Sequence, residues 1–318
     1  MDGTATEQIA ERTGEGIGGL LNATFGNAAE LIIALAALRG GLYDVVKASL
    51  AGSVVGNILL VLGISMLAGG LRHKEQHYNA AGARSQATMM TLAAIALIVP
   101  AAYRAAAGEL NAPGLGPISV LMSLVLLAVY AANLVFSLVT HRALFAGSGN
   151  AEEKEHGEEL WSAPRAALVL GAATVAIAWI SEILVRALEP AAESVGLSDA
   201  FMGVFVVAIL GNAAEHSTAV VAAMKDRMDL ALSIALGSSV QVALFVAPVL
   251  VLLSYFVGPS PMDLAFHGGL VLTILLAVWI SGQVAADGRS DWLRGVQLLA
   301  VYLILAFVFY FAPERAPG

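Results

Sequence analysis

The same five-residue motif occurs twice in this chain, 185 positions apart. Gly-Asn-Ala-Ala-Glu stands at 26–30 and again at 211–215. Aligned without a gap, 26–53 and 211–238 agree at 10 of 28 positions, and both end in Gly-Ser. Each copy lies in an apolar segment long enough to cross a bilayer. The chain therefore contains an internal repeat, and each repeat carries a carboxylate inside an apolar segment.

The composition is that of an integral membrane protein. Of 318 residues, 58% are hydrophobic and 13% are charged, whereas soluble domains are about a quarter charged. The net charge of −8 argues against nucleic acid, which selects basic surfaces. The chain has no Cys, which excludes disulfides and thiolate metal sites. The expected surroundings are a lipid bilayer.

Nine segments reach the length of about 20 apolar residues that a bilayer requires. They are 14–38, 45–69, 85–107, 115–140, 165–187, 200–224, 230–256, 264–284 and 292–312. A helix satisfies its backbone hydrogen bonds within the segment, so we predict an all-α integral membrane protein.

The spanning segments divide into two halves. Residues 1–140 form the first repeat and 165–318 the second. The segment 141–164 between them contains five Glu residues, and we interpret it as a solvated, acidic cytosolic linker. A cytosolic cation sensor is the alternative interpretation of this segment.

The distribution of Lys and Arg predicts the orientation in the membrane. Eleven of them fall on one side of the predicted spans and five on the other, and the richer side is expected to be cytoplasmic. The N-terminus is then inside and the C-terminus outside, in what we expect to be a prokaryotic plasma membrane. The motif segments are the first and the sixth, so they run in opposite directions, as in the inverted repeats of secondary transporters.

The repeated motif predicts one binding site built by both repeats. Glu30 and Glu215 would meet near the membrane midplane, with Asn27 and Asn212 one helical turn before them. An ionisable residue inside a membrane is a functional hypothesis by default, because its burial is costly. Further oxygen-bearing side chains follow on the next helix of each repeat, at Ser53, Asn57, Ser238 and Gln241.

These side chains offer only oxygen ligands, which suit Ca²⁺. Zinc and copper prefer sulfur or imidazole, and only one His lies near the motif. Two carboxylates would neutralise one divalent ion. When the site is empty, they would repel each other in a medium of low dielectric. We therefore expect protons to replace the metal on the same oxygens, which is an exchange mechanism.

Other interpretations of these residues remain open. Ser53 and Ser238 are also common helix-packing residues in membranes. His216 follows Glu215, but adjacent helical residues point about 100° apart, so His216 is expected to be a satisfied polar group or a proton relay. The sequence contains neither His-Glu-x-x-His nor Gly-x-Ser-x-Gly, which argues against an enzyme. A cation channel is the alternative from a different class.

The doubled motif, with Glu215-His216 and Gln241 in the second half, resembles the Ca²⁺/H⁺ exchangers (CAX) of the Ca²⁺/cation antiporter superfamily. The resemblance implies eleven helices, namely a first helix and two inverted five-helix repeats. It also implies exchange of Ca²⁺ for H⁺ by alternating access, with Ca²⁺ as a substrate and no cofactor. It makes Glu30 and Glu215 the shared Ca²⁺ and H⁺ carboxylates, surrounded by Asn27, Asn212, Ser53, Ser238 and Gln241.

The resemblance leaves the coupling ion and the assembly open. The sodium-coupled branch usually carries an acidic residue on the helix after its second motif. Here 237–241 reads Gly-Ser-Ser-Val-Gln, which favours proton coupling. An exchanger that is sodium-coupled or that carries Mn²⁺ or Na⁺ is the alternative, and a homo-oligomer is not excluded.

One departure from the family concerns the start of the chain. The segment before the second motif ends at Glu182, and its counterpart before the first motif ends at Glu7. We predict that these are gate or proton-path carboxylates at opposite mouths. Relative to the family, the first helix and most of the second are missing. We therefore expect a short stub at 1–13, an open cleft beside Glu30, and packing of 165–187 against 200–224.

Overall fold

The computed structural model describes residues 27–108, 112–141 and 163–311. Ten helices account for most of these residues. They are α1 Ala28–Arg39, α2 Tyr43–His73, α3 Ala80–Ala107, α4 Leu115–Thr140, α5 Ala163–Val195, α6 Met202–Gly211, α7 Ala213–Met224, α8 Met228–Val257, α9 Gly268–Ala285 and α10 Trp292–Phe311. A single turn at Asp199–Phe201 precedes α6.

Seven helices of the described residues are long and apolar enough to span a membrane, and α6 with α7 makes an eighth as one bent span. Their bounds agree with the predicted segments to within a few residues at most ends. The remaining predicted segment, 14–38, is described only from residue 27 onwards. The predicted all-α membrane fold is confirmed.

A short sheet is present that the sequence did not predict. Glu75–His77 (β1) pairs antiparallel with Arg289–Asp291 (β2), with Gln76 opposite Ser290. The two strands lie in the loops after α2 and after α9, so they join the two repeats. Three polar residues show no alternating pattern, which is why the pairing could not be inferred from sequence.

Helix α5 corrects one expectation. It continues to Val195, so Glu182 lies inside the helix and does not end it. Pro190 does not stop the helix. α5 packs mainly along α1, and its C-terminal part, at Leu188 and Ala192, also meets Met202. The expected packing of 165–187 against 200–224 is thus present through the C-terminal part of α5, and the contact with α1 adds to it. The predicted stub at 1–13 falls outside the described residues.

Close packing between α2 and α6 depends on glycine. A methyl group on Gly52 would lie 2.3 Å from the carbonyl oxygen of Val204, and one on Gly203 would lie 2.5 Å from the Cβ of Ala48. Neither position accommodates a side chain without moving backbone. Small residues of this kind allow membrane helices to approach closely. The contact brings the second helix of the first repeat against the motif segment of the second repeat.

Equivalent loop contacts join the repeats at the two ends of α2. In the first loop contact, Tyr43 donates to the carbonyl oxygen of Ser260 at 2.7 Å, and Lys47 pairs with Asp263 at 2.7 Å. Lys47 also donates to the carbonyl oxygen of Ala265 at 3.0 Å. The Lys47 side chain is only 6% exposed, and these partners replace the water that its ammonium group loses on burial.

The second loop contact lies at the other end of α2 and involves the opposite repeats. Gln76 donates to the carbonyl oxygen of Ala223 at 2.8 Å and to the carboxylate of Asp226 at 2.9 Å. The backbone N–H of Asn79 donates to Asp229 at 2.6 Å. In both contacts, the turn after a motif helix is held by a loop of the other repeat.

We expect Asp263→Asn to destabilise the protein by about 2–3 kcal/mol, because it removes the carboxylate that forms the direct ion pair with the buried Lys47 ammonium. The measurement is the unfolding midpoint in detergent. Asp44→Asn is the matched control, because Asp44 is 73% exposed beside His267 and such pairs contribute little. Equal midpoints for Asp263→Asn and the wild type would contradict this account.

Candidate cation-binding site

Both copies of the motif interrupt or begin a helix at the Asn. α6 ends at Gly211 and α7 begins at Ala213, with a bend of 66° between Met202–Gly211 and Glu215–Met224. Asn27 and Asn212 have nearly the same backbone angles, φ −105° with ψ 21° and φ −104° with ψ 9°. The corresponding Gly26 lies outside the described residues.

Each motif carboxylate lies in the first turn of a described helix. Glu30 is the third residue of α1, and Glu215 is the third residue of α7. The positive end of a helix dipole favours a negative charge at this position. The N-termini of α1 and α7 therefore help to stabilise the two carboxylates inside the bundle.

The two carboxylates lie together inside the bundle. Glu30 is 7% exposed, and it interacts electrostatically with Glu215. No side chain of opposite charge is paired with either of them within the described residues. Like charges in a low dielectric repel strongly, so the pair is suited to hold a cation or protons.

Hydrogen bonds between the repeats surround the carboxylates. Asn212 donates through Nδ2 to Ser53 Oγ at 3.2 Å. In the mirrored contact, Ser238 donates to Asn27 Oδ1 at 3.5 Å. Asn27 also donates through Nδ2 to Gln241 Oε1. Each motif Asn is thus paired with the Ser of the other repeat, and the seven residues predicted to bind the cation are brought together.

Two buried oxygen atoms of this cluster have no hydrogen-bond partner. They are Asn212 Oδ1 and Glu215 Oε2. Buried acceptors are nearly always satisfied in proteins, and an exception calls for an explanation such as an ion. A cation bound by both oxygens, or a proton on the carboxylate, would satisfy them. In the described part of the chain, no cluster of three or more His, Asp or Glu residues could hold a metal, so a site here must include neutral oxygens.

Two π-helical segments follow the Ser positions at nearly equivalent places in the repeats. They cover Gly56–Val61 in α2 and Val242–Val246 in α8. A third covers Met202–Val207 in α6. Such bulges are frequent at functional sites because they change which face a side chain occupies. The sequence did not reveal them, since an extra residue per turn leaves an apolar segment apolar.

The site is not symmetric in its side chains. His216 lies 3.1 Å through Nε2 from Asn57 Oδ1, and Asn57 donates to Ser238 Oγ at 3.1 Å. The positions that correspond to His216 and Asn57 in the other repeat hold Leu31 and Val242. His216 contacts an amide here, in agreement with its interpretation as a satisfied polar group.

The two predicted gate residues lie elsewhere. Glu182 is half exposed and pairs with Arg186 one turn along the same helix, at 2.8 Å. Such an exposed pair is typical of a solvated or interfacial helix surface. Glu7 falls outside the described residues. Their gating role remains a prediction.

Comparison with known proteins places the fold and the motif in a family. The chain matches the family described as sodium/calcium exchanger protein over residues 3–139 and 165–311. It is 46% identical over 329 residues to a Ca²⁺/H⁺ antiporter of Synechocystis sp., a match that covers 98% of this chain and 87% of that protein. It is 45% identical over 309 residues to the Ca²⁺/H⁺ antiporter ChaA of Bacillus subtilis, covering 97% and 87%.

Solved structures agree with these relatives. The structure of native YfkE matches with a TM-score of 0.81 and 40% identity, covering 98% of this chain and 88% of that chain. The structure of the H⁺/Ca²⁺ exchanger CAX matches with a TM-score of 0.63 at 15% identity, covering 96% and 79%, which shows a common fold. The chain belongs to the sodium/calcium exchanger protein family. The resemblance to the Ca²⁺/H⁺ exchangers, inferred from the doubled motif, is confirmed.

The packing of α2 against α6 predicts the effect of one distant substitution. Gly52→Ala should cost about 1–3 kcal/mol of stability through overpacking. It should also weaken Ca²⁺ binding, because it moves Ser53 away from Asn212. Unfolding midpoints and ⁴⁵Ca²⁺ binding would measure both effects.

The matched control is Gly282→Ala, because a methyl group there meets no atom within 4 Å. Wild-type stability and binding in Gly52→Ala would show that the close approach of α2 and α6 does not hold the site.

Proposed function

We propose that this protein exchanges Ca²⁺ for H⁺ across a membrane, with Glu30 and Glu215 as the shared binding groups. The observation that carries the proposal is the pair of motif carboxylates at the junction of the two repeats, with unpartnered oxygens on Glu215 and Asn212. The names of its relatives, Ca²⁺/H⁺ antiporters at 44–46% identity, support it.

The donor set supports Ca²⁺ as the cation. The cluster offers two carboxylates, two Asn amides, a Gln amide and two Ser hydroxyls, all oxygen donors. Ca²⁺ takes six to eight oxygens in flexible geometry. Zinc and copper prefer imidazole or sulfur, and the imidazole of His216 is directed to Asn57.

Competition on the same oxygens would couple the two ions. With both carboxylates ionised, the site carries two negative charges, which one Ca²⁺ neutralises. When Ca²⁺ leaves, the charges repel each other, and protons from the other side of the membrane neutralise them. Because the carboxylates are neutralised by one kind of ion or the other, Ca²⁺ and H⁺ would move in opposite directions.

Alternating access would follow from the repeat architecture. The side chains of the site come from both repeats, and the bend between α6 and α7 lies at its edge. The two loop contacts join the repeats at opposite ends of α2. We propose that one end of the bundle opens while the other stays closed, so that the site faces each side in turn.

The proposed location is a bacterial plasma membrane, with the N-terminus in the cytoplasm and the C-terminus outside. The excess of Lys and Arg on one side supports this orientation, and bacterial relatives support the membrane. Ca²⁺ would then leave the cell as protons enter.

Glu30→Gln and Glu215→Gln should each abolish proton-driven ⁴⁵Ca²⁺ uptake into proteoliposomes. Each substitution preserves size and removes one of the two charges that neutralise Ca²⁺. Glu75→Gln is the matched control, because Glu75 is half exposed on β1, away from the site. Wild-type uptake in either motif variant would refute the assignment.

Apparent Ca²⁺ affinity should weaken as pH falls, because the ligands must be deprotonated to bind metal. The measurement is the concentration of Ca²⁺ that gives half-maximal uptake at several pH values. Uptake that follows an imposed Na⁺ gradient and ignores a pH gradient would indicate sodium coupling. Conductance without counter-transport would indicate a channel. An affinity that is independent of pH would contradict shared carboxylates.

A further inference from the structure

We propose that Asn57 is a positioning residue, which fixes the tautomer of His216 and the direction of the Ser238 hydroxyl proton. This inference rests on the proposed function, since Ser238 is a proposed cation ligand and His216 follows Glu215 in the chain. Asn57 is 2% exposed. Its side-chain amide forms hydrogen bonds with His216 and with Ser238.

The first step is the chemistry of the amide. Asn57 Oδ1 lies 3.1 Å from His216 Nε2, and Asn57 Nδ2 lies 3.1 Å from Ser238 Oγ. An amide oxygen can only accept a hydrogen bond and an amide nitrogen can only donate one. The imidazole must therefore carry its proton on Nε2, which leaves Nδ1 with a lone pair.

The second step concerns the hydroxyl group. Ser238 Oγ accepts from Asn57 and carries a single proton, which must point to another acceptor. Asn27 Oδ1 lies at 3.5 Å, and the carboxylate of Glu215 is also within hydrogen-bonding reach. A donor at position 57 thus directs the hydroxyl proton towards the predicted cation ligands.

Together these contacts form a chain in which every member donates in the same direction. Its members, in order, are His216, Asn57, Ser238, Asn27 and Gln241. If the direction of one hydrogen bond were reversed, the other hydrogen bonds would have to reverse as well or be lost. Within the part of the protein that the structure describes, the amide of Asn57 links His216 to the other members of this hydrogen-bond chain.

The chain also makes the two halves of the site different. Leu31 and Val242 occupy the positions of the other repeat that correspond to His216 and Asn57, and neither can form a hydrogen bond through its side chain. Of the two motif Glu residues, only Glu215 is therefore followed by a His. The amide of Asn57 holds the imidazole of this His in one tautomer. Residues that orient metal ligands in this way typically contribute 10–100-fold to affinity.

The tautomer can be measured directly, without transport. The full-length protein in lipid, with ¹⁵N-labelled imidazoles, is studied by solid-state NMR at about pH 8.5, where an ordinary imidazole is neutral. The chain has six His residues, so the signals of His216 are identified as those lost in His216→Gln. We expect the tautomer protonated on Nε2 in the wild type and a mixture of tautomers in Asn57→Leu.

Ser239→Ala is the matched control, because Ser239 is buried next to Ser238 but bonds only to backbone oxygens. Its His216 signals should equal those of the wild type. A wild-type imidazole protonated on Nδ1, or identical His216 signals in the wild type and Asn57→Leu, would overturn the proposal. Asn57→Ser, which is too short to reach both partners, serves where Asn57→Leu does not fold.

Ca²⁺ affinity gives a second, independent readout. Asn57→Leu should weaken ⁴⁵Ca²⁺ binding to the purified protein about 10-fold. In the His216→Gln background the same substitution should have a smaller effect, since residues in one hydrogen-bond network are not additive. If the two substitutions changed Ca²⁺ affinity by independent factors that simply multiply, a role of Asn57 through His216 would be contradicted. A wild type that does not bind Ca²⁺ would refute the proposed function, while the NMR result would still decide the tautomer.

Discussion

Two carboxylates of like charge, Glu30 buried and Glu215 partly buried, interact inside the bundle, and much of this structure stabilises that arrangement. Burial of a charge without a partner costs several kcal/mol, so Glu30 and Glu215 need compensation that does not come from a basic residue. Helix starts supply part of it through their dipoles. The Ser238 hydroxyl is within hydrogen-bonding reach of Glu215, while Glu215 Oε2 and Asn212 Oδ1 stay without a hydrogen-bond partner where an ion would bind. A permanent Lys or Arg partner would have removed the reason to bind a cation.

The backbone that holds this pair is shaped by close packing and by irregular helices. Gly52 and Gly203 allow α2 and α6 to touch, so that Ser53 reaches the Asn of the other repeat. The π-helical segments begin about one turn after Ser53 in α2 and about one turn after Ser238 in α8. Irregular backbone inside a membrane is tolerated where protein surrounds it or where it lines a cavity. Here most residues of both segments are buried within the protein.

The two repeats share a backbone plan and differ in side chains. The loop contacts at the two ends of α2 occupy equivalent places, yet one uses a buried Lys47–Asp263 ion pair and the other uses amide and carboxylate hydrogen bonds. The site shows the same divergence, with His216 and Asn57 on one side and Leu31 and Val242 on the other. A transporter with equivalent geometry at both ends can thus respond differently at each end.

The sequence alone determined the membrane class and most helix bounds, and it predicted the residues of the candidate site. Apolar length and a doubled motif can be read directly from the sequence. An ionisable residue in an apolar segment is costly to bury, so it indicates a functional site. Tertiary structure decided which atoms meet. The pairing of Asn212 with Ser53, the length of α5 beyond Glu182, the β1–β2 pairing and the π-helical segments depend on contacts between distant segments. The link from His216 through Asn57 to Ser238 joins residues up to 181 positions apart, and no spacing in the chain encodes the direction of its hydrogen bonds.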